Sequence, residues 1–181
     1  MLIYPCINSK QSLKKHFPVC VLAASILLCV VIMLANRPEV LESDDELIEK
    51  VREIIPVSDS YDTEIIIAGV AQNKEYVLMW FVSGNSYQTH YYLPVEFSMA
   101  GDSSYVFKRA YRPLKRGDDI SVLHWKGGMS FIINNPRCTS LRIEDDSDVQ
   151  NISIDQYPYV YYHPRDVISY YFLGIEQIEK S

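Results

Sequence analysis

EIIIAGVAQNKEYVLMWFVS, residues 64–83, reads as two strands joined by a short polar turn. Both halves are rich in β-branched and aromatic residues, which suit a pleated, part-buried surface, and Gln72, Asn73 and Lys74 part them as a hairpin loop does. The second half is apolar at both parities of the strand repeat. It is therefore expected to be a central strand, covered on both faces.

Working outward toward the carboxy terminus, Ser83, Gly84, Asn85 and Ser86 supply turn chemistry before an alternating run at 87–97. Tyr87, Thr89, Tyr91, Leu93, Val95 and Phe97 share one parity, which is expected to face the core, while Gln88, His90, Tyr92, Pro94 and Glu96 share the other. Pro94 lacks a ladder donor, which predicts an edge or a bulge. Further strands are expected at 105–112, 120–125, 129–134 and 141–143. Lys126, Gly127 and Gly128 give the clearest hairpin signal in the chain. Residues 144–148 read as a solvated acidic loop, 157–164 as an extended segment with two prolines, and 167–174 as a strand ending at Gly174.

Working outward in the other direction, Ser43 and Glu46 have capping-box spacing, and Asp44, Asp45 and Glu46 place negative charge on a helix amino terminus. Leu47, Ile48, Val51, Ile54 and Ile55 then form an apolar stripe that ends at Pro56. One helix followed by consecutive hairpins predicts an α+β domain, with the helix packed on a mainly antiparallel sheet of six to eight strands.

Before this domain lies FPVCVLAASILLCVVIMLA, residues 17–35, uncharged throughout and with Ser25 as its one polar side chain. Nineteen residues at about 1.5 Å each match a bilayer's hydrocarbon thickness, and no polar stripe marks a soluble helix. A cleaved signal peptide shares the order of basic, apolar and polar stretches. Its apolar core is shorter, however, and ends in small residues unlike Met33, Leu34, Ala35 and Asn36, which favours an uncleaved single-pass anchor.

Residues 1–37 carry four bases and no acid, whereas the remaining chain holds 13 bases against 23 acids, a net of −10. Lysines before the span and acids after it place the amino terminus in the cytoplasm and the rest outside. The expected organisation is a cytoplasmic tail at 1–16, a transmembrane anchor at 17–35, a linker and amphipathic helix at 36–56 and an extracytoplasmic β-rich domain at 57–181. The acidic balance of the outer part argues against nucleic acid as a partner.

Few residues suggest chemistry. His90, His124 and His163 lack metal-ligand spacing, and no phosphate-binding, nucleophile-elbow or EF-hand pattern occurs, so neither a metal nor a cofactor is expected. Cys138 is the one cysteine beyond the span, which precludes an intramolecular disulfide there, and Arg137 is a neighbour able to lower its pKa. Asn151, Ile152 and Ser153 form a glycosylation acceptor tripeptide. Lys108, Arg109, Arg112, Lys115 and Arg116 put five bases into nine residues, and six tyrosines lie between 157 and 171.

The expected function is a membrane-anchored, extracytoplasmic interaction domain for a protein, peptide or cell-wall component. Tyr157, Tyr159, Tyr161, Lys115 and Arg116 are its candidate contact residues. The alternatives are a tethered enzyme that uses Cys138 with a histidine, and an accessory subunit that docks through a small-residue face at Ala23, Ala24 and Ser25.

Overall fold

A strand that is apolar on both faces needs a layer above and below it, and the computed structural model builds those layers. It describes residues 21–22, 25–34, 37–55, 64–85, 88–115 and 119–174. The chain divides into a unit of residues 1–38 and a unit of residues 39–181.

In the first unit, residues 21–22 and 25–34 are helical, and Ser25 Oγ donates to the Leu22 carbonyl at 2.8 Å. Among the described residues no helix is long and apolar enough to cross a membrane. The expected span also includes residues 17–20, 23–24 and 35, and these, with Ala23 and Ala24 of the small-residue face, lie outside the described residues.

Among the described residues, the second unit is mainly antiparallel sheet with one helix. In chain order it runs β1 (Val40–Leu41), α1 (Asp44–Ile54), β2 (Glu64–Asn73), β3 (Tyr76–Asn85), β4 (Gln88–Gly101), β5 (Ser104–Ala110) and β6 (Leu114–Lys115). There follow β7 (Ile120–Trp125), β8 (Gly128–Ile133), β9 (Ser140–Glu144), β10 (Val149–Ser153), β11 (Tyr159–His163) and β12 (Ser169–Leu173). These strands form three sheets, not one. The first has the order β1-β5-β4-β3-β2 with β6 also on β4; the others are β11-β8-β7 and β10-β9-β12.

The stacking follows from the sequence pattern. On one face of the first sheet, Val77, Met79, Phe81, Leu93, Val95 and Phe97 meet Leu47, Val51 and Ile55 of α1 and its exit. Ser43 caps that helix in a complete capping box with Glu46. On the opposite face, Leu78, Trp80, Val82 and Tyr92 meet Trp125 and Ile132 of the second sheet. The far side of the second sheet, with Met129, Phe131 and Ile133, packs on Leu141 and Ile143 of the third. Both β3 and β8 are thus central and buried on both faces.

The alternating run in β4 departs from expectation. Alternation puts Tyr92 and Glu96 on the outward parity, yet every residue from Tyr92 to Phe97 is buried, because the second sheet covers that side. Pro94 sits inside β4 and not at an edge. Tyr111 N donates to the Pro94 carbonyl at 2.9 Å, so the donorless nitrogen of Pro94 faces the gap between β5 and β6, where no partner strand asks for a hydrogen.

The hairpin of β7 and β8 turns on Lys126 and Gly127, both at positive φ (50° and 74°), as a two-residue turn of matching twist requires. Gly128 is already in the strand, and a Cβ there would lie 2.1 Å from the His163 carbonyl oxygen of β11. Gly128→Ala is therefore expected to cost about 1–3 kcal/mol by forcing β11 away from β8. Gly127→Ala, in open space, should cost less and only through its backbone. Thermal unfolding of the two variants checks the order.

Candidate functional site

Two acids that the strand pattern places at ordinary positions turn out to be buried and elaborately bonded. Glu96 projects from β4 between the first and second sheets. Its Oε2 accepts from Trp125 Nε1 at 2.8 Å, Tyr111 Oη at 2.9 Å, and Arg109 Nη2 and Nε at 3.1 and 3.3 Å. Its Oε1 faces Lys126 Nζ at 3.3 Å. Burial pushes the Glu96 carboxyl up, but the donors from Trp125, Tyr111, Lys126 and Arg109 outweigh it and the net shift is downward.

The surrounding shell is aromatic and cationic. Lys126 Nζ lies 3.5 Å from the centre of the Tyr76 ring, and the Arg109 guanidinium stacks over Tyr111 at 4.6 Å and donates to its hydroxyl. Trp125 meets Tyr162 edge-on at 5.0 Å, and Asn73 Nδ2 donates to the Tyr162 hydroxyl at 2.8 Å. Tyr111's phenol is pushed up to about 12, first by burial and then by its bond to the Glu96 carboxylate. A carboxylate so engaged is a cross-sheet tie, its Oε2 crowded by donors from β5, β7 and Tyr111 and its Oε1 turned to Lys126.

The second acid is Asp145, in the loop expected to be solvated. Asp146, Ser147 and Asp148 are exposed as expected, but Asp145 turns inward. Its Oδ1 accepts from Ser147 N and Oγ and from Asp148 N at 2.8, 2.7 and 2.8 Å. Its Oδ2 meets His163 Nε2 at 3.0 Å and Arg165 Nη1 at 3.4 Å. The Ser147 hydroxyl and then the backbone donors hold this carboxyl well below the usual carboxylate range. The pair spans the second and third sheets, since His163 ends β11 and Asp145 follows β9.

The residues singled out from the sequence are dispersed. Cys138 is fully buried among Leu141, Ile143 and Ile154, and its Sγ approaches the Ser140 carbonyl at 3.6 Å. Burial pushes its thiol pKa up, the opposite of the lowering that a basic neighbour such as Arg137 can bring. His163 bonds Asp145, His124 is exposed on β7, and the His90 side chain lies outside the described residues. Among the described residues no group of three or more metal-binding side chains comes together.

The six tyrosines separate according to strand parity. Tyr157, Tyr159 and Tyr161 are half-buried against the core between the second and third sheets. The Tyr157 hydroxyl donates to the Cys138 carbonyl and that of Tyr161 to Gln150 Oε1 at 3.3 Å. Tyr162 points to the opposite core. Tyr170 and Tyr171 are exposed on β12.

The bases also part company. Arg109 is spent on Glu96, while Lys108, Arg112 and Lys115 are exposed and form no ion pair among the described residues; Arg116 lies outside them. Two acids of α1 are engaged elsewhere, with Glu46 closing the capping box and Glu53 pairing with Lys50, as Glu39 before the helix also does.

Sequence reasoning missed Glu96 and Asp145. The available signal for Glu96 was a lone acid inside YLPVEF, where Tyr92 on the same parity already hinted at a covered face. Compared with known proteins, the chain matches no family model, no curated protein and no solved structure, so the reading of its function rests on this geometry.

Proposed function

We propose that the chain is a single-pass membrane protein, amino terminus in the cytoplasm, whose β-rich domain works outside as a non-enzymatic interaction module for a protein or peptide. The anchor is residues 17–35, and the charge split about it sets the direction. The observation that carries the binding role is β12. Among the described residues it is one of the two outer strands of its sheet, residues 168–174 hold no charge, and Ile168, Tyr171 and Leu173 are 63%, 57% and 45% exposed.

An edge strand offers a row of backbone donors and acceptors, and soluble domains commonly blunt such edges with charge or proline. An uncharged, aromatic edge suits strand addition by an extended partner segment. Its tyrosines belong to the cluster noted in the sequence, but they are the exposed pair and not the half-buried Tyr157, Tyr159 and Tyr161. Glu96, Asp145 and Cys138, the side chains with most catalytic potential, are meanwhile committed to holding the layers together.

Two measurements test this. Protease added to intact spheroplasts should digest the domain, and complete protection would sink the topology. A photo-crosslinking residue at Tyr171 should capture a partner in intact cells far more efficiently than one at the exposed turn residue Lys74; equal yields would remove β12 as the contact.

A further inference from the structure

The first sheet has an edge of the opposite character. Beyond Tyr105 and Val106, which pair with β1, the outer side of β5 and the short strand β6 form the rim of the sheet. Along this stretch Lys108, Arg112 and Lys115 stand exposed without ion pairs among the described residues. Lys108 sits where the β4–β5 register shifts between Glu96–Arg109 and Phe97–Phe107, so it projects at a bulge. Leu114 turns into the core beside Tyr92, leaving Lys115 outward.

We propose that this basic rim docks on anionic lipid headgroups and fixes how the anchored domain meets the bilayer. The inference rests on the membrane-anchored reading above and is separate from the partner edge at β12. Charge of either sign would keep the rim from pairing with another strand, so in a region of 13 bases and 23 acids it is the sign that is informative. The negative remainder of the domain is repelled by an anionic surface while the rim is drawn to it, which orients the domain as well as binding it. Glu46 and Glu53 of α1 are taken by the helix cap and Lys50 and do not neutralise the rim. Each base near the surface contributes roughly a fivefold preference, and three act together because the tether supplies proximity.

The full chain is placed in lipid nanodiscs of phosphatidylcholine alone or mixed with phosphatidylglycerol, and amide hydrogen exchange is followed over residues 104–115. Anionic discs should slow exchange there at least about tenfold, with the protection lost at high salt. The variant Lys108→Glu/Arg112→Glu/Lys115→Glu should lose it too, as should the milder Lys108→Gln/Arg112→Gln/Lys115→Gln. In both variants exchange of the buried strand β8 should be unchanged, showing an intact fold. Equal exchange of 104–115 in the two lipids overturns headgroup docking while leaving the anchor standing. A chain that enters neither kind of disc overturns the anchor, and docking with it.

Discussion

Trp80→Ala is expected to destabilise the β-rich domain by about 3–5 kcal/mol, a large part of the 5–15 kcal/mol typical of a whole domain. Trp80 is completely buried on the face of β3 that meets the second sheet, among Leu78, Val82, Tyr92, Trp125 and Ile132. Truncation removes one of the two tryptophans at that junction and opens a cavity that the two central strands, β3 and β8, are too constrained to close. It also strands the buried Ser130 hydroxyl of β8, which accepts from Trp80 Nε1 at 2.8 Å. Trp80→Phe restores much of the volume but not the hydrogen bond, so it should fall between wild type and Ala in denaturant midpoint. A loss below about 1 kcal/mol for the Ala variant would mean that the first and second sheets are not held together through this residue.

What the sequence disclosed, and what it hid, divides along a physical line. Local signals were legible: the Ser43–Glu46 capping box, the Lys126–Gly127 turn, and the two-faced apolar run of β3 all take the expected form. The number of layers was not. Strand periodicity says that a face is covered but not by what, and in β4 Tyr92 and Glu96 look solvent-facing until β7 and β8 close over them. The β10 strand, VQNIS, is too polar to announce itself and exists through its ladder to β9. Asp145 looked like any residue of an acidic loop. Only the fold, by packing the sheet of β11 on the sheet of β9, brings His163 to 3.0 Å from it. The tyrosine cluster was visible as composition, yet its division into buried and exposed members depends on register, which pairs Tyr161 with Phe131 and Tyr171 with Arg142.

Glu96→Ala should be the most damaging polar substitution, at about 2–4 kcal/mol. The upper end of the buried-pair range does not apply, because the Arg109 and Lys126 side chains are 57% and 30% exposed and water can receive them. The Trp125 indole N–H cannot be so rescued, since Trp125 is 2% exposed and donates, among the described residues, to Glu96 alone. Glu96→Gln keeps the shape and isolates the charge, and here pH is the informative variable. The folded-state pKa of Glu96 lies below its unfolded value of about 4.3, so the unfolded chain binds the proton first as pH falls. Its contribution is fully present above that value and is lost as pH drops through the lower folded value. Wild-type stability should therefore be nearly level from neutral pH to about 5 and then decline. Glu96→Gln should start lower at neutral pH but decline less steeply, converging with wild type in acid. The slope that remains belongs in part to Asp145, whose carboxyl is also held low, first by the Ser147 hydroxyl. Parallel pH profiles for the two proteins would show that the Glu96 carboxylate gains nothing from its donors, and that the tie between β4 and β7 rests on packing alone.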